Sequence, residues 1–180
     1  MEKGYVILRS IFGKEHISKL RNKIISISSK DSTEDDSNFD AHNLLGLCYY
    51  ILEDYENSIE SIKRACELNP EDIDFYLNLA NSYIALKQCE EAKMAFNKVI
   101  QIDPKYSDAY FKLGMCYKKN RDFENAIVYL KKAIKINNKS YIYHHNIADA
   151  YSNLCKYELC IFHLQKVIKI TSLFSDPSEL

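Results

Sequence analysis

The side chains able to ligate a metal or move a proton gather near the C-terminus: His144-His145, Cys155, Cys160 and His163. Neighbouring histidines point to different faces of a helix, whereas a ligand pair needs i, i+3 or i, i+4 spacing. Cys155, Cys160 and His163 lack a fourth ligand at sensible spacing, so no zinc site is expected. The four glycines form neither a phosphate-cradling loop nor a nucleophile elbow, and no acid–base pair stands in a recognisable context. The expectation is a non-catalytic chain without cofactor or metal. Amides and ammonium groups are the richer set, with Asn43, Asn78, Asn81 and Asn146 beside Lys112 and Lys118. An asparagine carries both donor and acceptor, so a row of them can hold an extended peptide backbone whatever its sequence.

The elements that position these groups follow from composition and periodicity. The 180 residues are 47% hydrophobic and 27% charged, which excludes wholesale disorder. Four glycines and three prolines are too few for the turns of a β-sandwich, so helices are favoured. A net charge of −1 gives no overall basic field for nucleic acid. Six cysteines without a CxxC pair read as reduced thiols of a cytoplasmic or nuclear protein. The run Tyr5-Val6-Ile7-Leu8 stops at Arg9, too soon for a signal peptide or a membrane span. Asn138-Lys139-Ser140 has the form of a glycosylation sequon but lacks a secretory signal to give it meaning.

Tyr49, Tyr83, Tyr117 and Tyr151 stand 34 residues apart. Leu45, Leu79, Leu113 and Ile147 precede them by four, followed at once by the small residues Gly46, Ala80, Gly114 and Ala148. Nine residues beyond each tyrosine come Ser58, Ala92, Ala126 and Cys160, and sixteen beyond come Ala65, Val99, Ala133 and Val167. Within the first copy, Leu44, Leu45, Cys48, Tyr49 and Leu52 make one helical stripe, and Tyr55, Ser58, Ile59, Ile62, Ala65 and Cys66 make a second. Pro70 and Pro104 sit where a helix should stop. Each copy is therefore expected to be two helices joined by a tight turn. Small columns let the helices cross closely, and the copies must stack because one pair cannot bury its own apolar face.

These residues resemble the tetratricopeptide repeat, whose pattern of aromatic, Leu-Gly, Tyr, Ala, Phe, Ala and Pro extends over 34 residues. LLGLCYYIL (44–52), LANSYI (79–84) and LGMCY (113–117) carry its first-helix signature, and DFENAIVYLKKAIKI (122–136) its second. The departures are His42 and His144 in the first aromatic column, Cys160 in the alanine column and the missing proline of the last copy. The resemblance implies an all-α, right-handed α-solenoid of helix-turn-helix repeats. The expected organisation is an N-terminal helical cap (1–29), an acidic linker (30–38), four repeats (39–72, 73–106, 107–140, 141–174) and a tail (175–180).

The family uses columns 2, 5, 6, 9, 12 and 13 of each unit to line a concave groove for a peptide or helix of a partner. Those columns imply a groove containing Asn43, Asn78, Asn81, Lys112, Met115, Lys118, His145, Asn146 and Asp149. Asn78 and Asn146 resemble part of the asparagine ladder of the O-linked N-acetylglucosamine transferase repeats. The carboxylate clamp of chaperone-binding relatives is not expected, because its positions fall on Asn43, Leu47, Asn78, Asp108 and Lys112, and Asp108 would repel a C-terminal carboxylate. Repeat one holds eight acidic and two basic residues, repeat three eight basic and three acidic, so an acidic peptide is expected near repeat three. Lys131, Lys132 and Lys135 should face outward. His144 belongs to the packing column, where a core or half-buried ring is expected. The implied function is a protein-interaction module, an adaptor or assembly subunit. Its rivals are the regulatory arm of a glycosyltransferase, phosphatase or prolyl isomerase, and a scaffold that self-assembles through the bare end near Leu164 and Ile168.

Overall fold

A computed structural model of the chain describes residues 38–173, together with Ser18, Lys19 and Asn22, which are helical. Apart from these three and Asn38, the expected N-terminal cap, acidic linker and C-terminal tail lie outside the described residues. Eight helices fill the rest, and no strand occurs among the described residues. They are α1 (Phe39–Ile51), α2 (Tyr55–Leu68), α3 (Ile73–Ala85), α4 (Cys89–Ile102), α5 (Ser107–Lys119), α6 (Phe123–Ile136), α7 (Tyr141–Asn153) and α8 (Tyr157–Leu173).

One turn is built four times. After α1 the chain closes with Asp54 N–H donating to the Tyr49 carbonyl at 2.9 Å and Glu53 N–H to the Tyr50 carbonyl at 3.0 Å. These crossed bonds are the Schellman arrangement, which satisfies carbonyls left open at a helix end. It recurs at Gln88 to Tyr83, Asp122 to Tyr117 and Lys156 to Tyr151. The repeating tyrosine thus supplies its ring to the packing and its carbonyl to the turn. The residue that must turn left-handed is never glycine: Glu53, Lys87, Arg121 and Cys155 have φ of 65°, 62°, 62° and 56°. The next residue starts the second helix, where Asp54 and Asp122 accept from the backbone N–H of Asn57 and Asn125.

In the first and third hairpins the small columns fix the approach. A methyl group at Gly46 would meet the Ile62 side chain and the Ser58 carbonyl, and one at Gly114 would meet Leu130 and the Ala126 carbonyl. Ser58, Ala92, Ala126, Ala65, Val99 and Ala133 are all fully buried.

The chain divides into two compact units, Met1–Ala95 and Phe96–Leu180, the boundary falling within α4. In the first, α1 packs on α2, α2 on α3, and α1 also touches α3. Its buried residues include Ile59, Ile62, Cys66, Phe75 and Tyr83. Phe39 and Phe75 add a tilted ring contact at 6.0 Å. A polar link in this interior joins Ser58 Oγ to Ser82 Oγ at 2.9 Å, with Ser82 also donating to the Asn78 carbonyl. Burial pushes the Cys66 thiol up to about 12, so it serves as a packing group rather than a nucleophile.

In the second unit α5 packs on α6, α6 on α7 and α7 on α8. Ile127 and Leu130 of α6 meet Ile147, Ala150 and Tyr151 of α7, with Phe123, Ile134 and Leu154 around them. Each fully buried Leu or Ile contributes about 2 kcal/mol from area removed from water. That scale explains why the second helices place Phe123, Ile127, Leu130 and Ile134 at i, i+4, i+7 and i+11. Lys131, Lys132 and Lys135 are exposed, as their register requires.

Candidate functional site

The side chains expected to take a ligand lie on first helices, three in the first unit and six in the second. In the first unit, Asn43 stands on α1 and Asn78 and Asn81 on α3. Asn78 Nδ2 donates to Asn43 Oδ1 at 3.0 Å, so the two amides are joined across adjacent repeats. Asn78 is buried, while Asn43 and Asn81 are half-buried. Asn78 therefore links α1 to α3, and Asn43 and Asn81 are the more accessible amides of this unit.

In the second unit, Lys112, Met115 and Lys118 recur every third residue of α5 and so share a face. His145, Asn146 and Asp149 occupy the facing side of α7, because Lys118 Nζ donates to Asn146 Oδ1 at 2.7 Å and to Asp149 Oδ2 at 2.9 Å. Asn146 is buried, and its Nδ2 also donates to the Ile142 carbonyl at 2.9 Å. Both Asn78 and Asn146, which share a repeat column, are thus already engaged within the protein. Lys118 is ion-paired with Asp149 at the surface. Lys112 and Met115 are half-buried, His145 is exposed, and Lys112 makes no ion pair among the described residues. Beside them Ser107 and Tyr143 join hydroxyls at 3.3 Å, and the Phe111 and Tyr143 rings lie 5.0 Å apart. Burial raises the Tyr143 phenol above its ordinary pKa, so it stays protonated and able to donate.

The remaining titratable groups are placed elsewhere. Cys155 is the exposed left-handed turn residue before α8. His163 turns away from solvent and meets His144 at 2.9 Å between Nδ1 atoms. No group of three or more His, Cys, Asp or Glu is arranged to hold a metal among the described residues. The His144–His163 pairing was not read from the sequence. The signal was present in the repeat columns, which hold the aromatic pair Tyr110 and Tyr129 one copy earlier.

Models of the tetratricopeptide repeat match residues 39–72 and 107–140, and 73–106 and 141–172. The chain belongs to the tetratricopeptide repeat family. Its fold class is accordingly that of the all-α solenoids built from such repeats. No curated protein sequence matches the chain. Among solved structures it is similar to a crystal structure of MamA, with a TM-score of 0.80 at 20% identity over 90% of this chain and 92% of that one. It is also similar to MamA 41-end from Desulfovibrio magneticus RS-1, with a TM-score of 0.78 at 16% identity over 97% of each chain. A third is YrrB, described as a TPR protein with an unusual peptide-binding site, with a TM-score of 0.72 at 18% identity over 92% of this chain and 82% of that one. At these identities the tetratricopeptide repeat chain shares a fold with them. No described helix of this tetratricopeptide repeat protein is long and apolar enough to cross a membrane.

Proposed function

We propose that this tetratricopeptide repeat protein is a non-catalytic interaction module that holds a peptide or helix of another protein against its first helices. The peptide-binding site named for YrrB is consistent with that reading. The observation that carries it is the α5–α7 face, where Lys112, Met115 and His145 are presented beside the Lys118–Asp149 bridge. A half-buried ammonium, a flexible thioether and an exposed imidazole recognise shape and charge. Lys112 is the anchor for an acidic segment, since Lys118 is shared with Asp149. Asn43 and Asn81 are the corresponding amides of the first unit.

Titrating fluorescent acidic peptides and their amidated neutral versions tests this. Wild type is expected to prefer the acidic series, and Lys112→Glu to weaken it roughly tenfold or more, the scale of a charge-assisted bond at a half-buried site. Equal affinity of wild type and Lys112→Glu for the acidic series would remove Lys112 from the site.

A second reading, self-association, is favoured by α8. Tyr157, Ile161, Leu164 and Ile168 are between 39% and 66% exposed and follow each other at i, i+4, i+7 and i+11. Their counterparts one repeat earlier, Phe123, Ile127, Leu130 and Ile134, are the ones packed with α7. A 4-3-4 stripe is also the spacing of a helix–helix seam, and it is antiparallel self-complementary, with Tyr157 opposite Ile168 and Ile161 opposite Leu164. Sedimentation equilibrium over a hundredfold concentration range should show a dimer that Ile161→Lys/Ile168→Lys abolishes. A wild type that stays monomeric throughout would end this reading.

A further inference from the structure

We propose that the His144–His163 contact is an acid-release latch on the terminal hairpin, holding α8 on α7 while the rings are neutral and letting go once both are protonated. The inference is independent of the interaction-module reading. The two Nδ1 atoms are 2.9 Å apart, and both residues are 8% exposed. A bond between ring nitrogens requires one Nδ1–H and one bare Nδ1, so the two imidazoles are held in opposite tautomers. One added proton leaves a donor facing an acceptor. Two added protons set N–H against N–H, and the bond is lost.

The surroundings disfavour even the first proton. The His163 ring is packed by His144 at 5.2 Å and Tyr151 at 5.7 Å from α7, and by Phe162 at 5.3 Å from α8 itself. The charged groups acting on the pair are Lys131 of α6, whose Nζ also lies over the Tyr151 ring at 5.6 Å, and Lys166 of α8. Both are cations, which oppose a buried imidazolium. Burial first, then His144, Lys131 and Lys166, lower His163 from 6.5 to about 4, and burial followed by Lys166 lowers His144. A depressed histidine stabilises the fold fully above its unfolded pKa of 6.5, and that contribution is lost as pH falls towards about 4. The latch therefore weakens across the window from pH 6.5 to about 4.

The repeat supplies its own controls. The same two columns hold Tyr76 and Ala95 in repeat two, and Tyr110 and Tyr129 in repeat three. His144→Tyr/His163→Ala and His144→Tyr/His163→Tyr are thus pairings that this architecture already accommodates. Hydrogen exchange of residues 141–173, corrected for intrinsic rates and followed from pH 7 to 4, should show wild-type protection falling on the order of a hundredfold relative to either variant. Should neither variant fold, the wild-type imidazole resonances decide by themselves, with at least one midpoint expected well below 6. Identical pH profiles in wild type and variant, or both midpoints at or above the ordinary value of 6.5, would overturn the latch.

Discussion

A methyl group added at Gly46 gains about 1 kcal/mol of helix propensity and meets a wall. It would overlap the side chain of Ile62, which is fully buried, while the Ser58 carbonyl lies 3.1 Å away on another side. Overpacking a well-filled core costs about 1–3 kcal/mol, and neither neighbour can retreat, so the crowding wins. Gly46→Ala is expected to lower unfolding stability by about 1 kcal/mol in urea. In an Ile62→Ala background the same change should become neutral or favourable, because the obstructing side chain is gone. Additive effects in that double-mutant cycle would show that the glycine is not there for close approach. Gly114, facing Leu130 and the Ala126 carbonyl, repeats the arrangement in the second unit.

The turns between first and second helices carry a local cost that the hairpins tolerate four times. Glu53, Lys87, Arg121 and Cys155 are left-handed without being glycine, a conformation that costs an ordinary residue about 1–2 kcal/mol. Part of that is recovered when glycine is substituted, since its unfolded chain has more freedom to lose. Arg121→Gly should therefore raise the midpoint of thermal unfolding, by a net stabilisation of about 0.5–1 kcal/mol. A loss of stability would mean that the Arg121 side chain makes a compensating contact. The adjacent Asp122 acts in the other direction. Its carboxylate accepts from Asn125 N–H at 3.1 Å and from Asn125 Nδ2 at 2.8 Å, so Asp122→Ala should cost about 1 kcal/mol, measured by the same melts.

Charge is divided along the molecule. Residues 1–95 hold 11 basic and 17 acidic residues, and residues 96–180 hold 13 basic and 8 acidic, so the units carry net −6 and +5. The proposed peptide contact at Lys112 is electrostatic and the proposed α8 seam is apolar, so salt should separate them. Raising sodium chloride from 0.05 to about 0.5 M shortens the Debye length severalfold and should weaken acidic-peptide binding. Self-association through Tyr157, Ile161, Leu164 and Ile168 should be little changed by chloride and strengthened by sulfate, which favours burial of apolar surface. Sedimentation and peptide titration in the two salts check both. A dimer that dissociates in sodium chloride would be held by charge rather than by the α8 stripe.

Much of this architecture was written in the chain itself. A 34-residue recurrence of Tyr49, Tyr83, Tyr117 and Tyr151, with small residues at fixed offsets, specifies helix pairs because helical periodicity is local and repeats in register. The family resemblance placed Asn78, Lys112 and Asn146 in one repeat column, which falls on first helices. The sequence did not disclose that Asn78 is tied to Asn43, or that Lys118 bridges Asn146 and Asp149, since those bonds join residues 28 to 35 positions apart. It did not disclose the left-handed turn either, because none of its four residues is glycine. His163, grouped with Cys155 and Cys160 by spacing, found His144 instead. Periodicity determines the helices and their buried faces. Which polar side chains meet across them depends on how closely those helices approach in three dimensions, and only the tertiary structure fixes that distance.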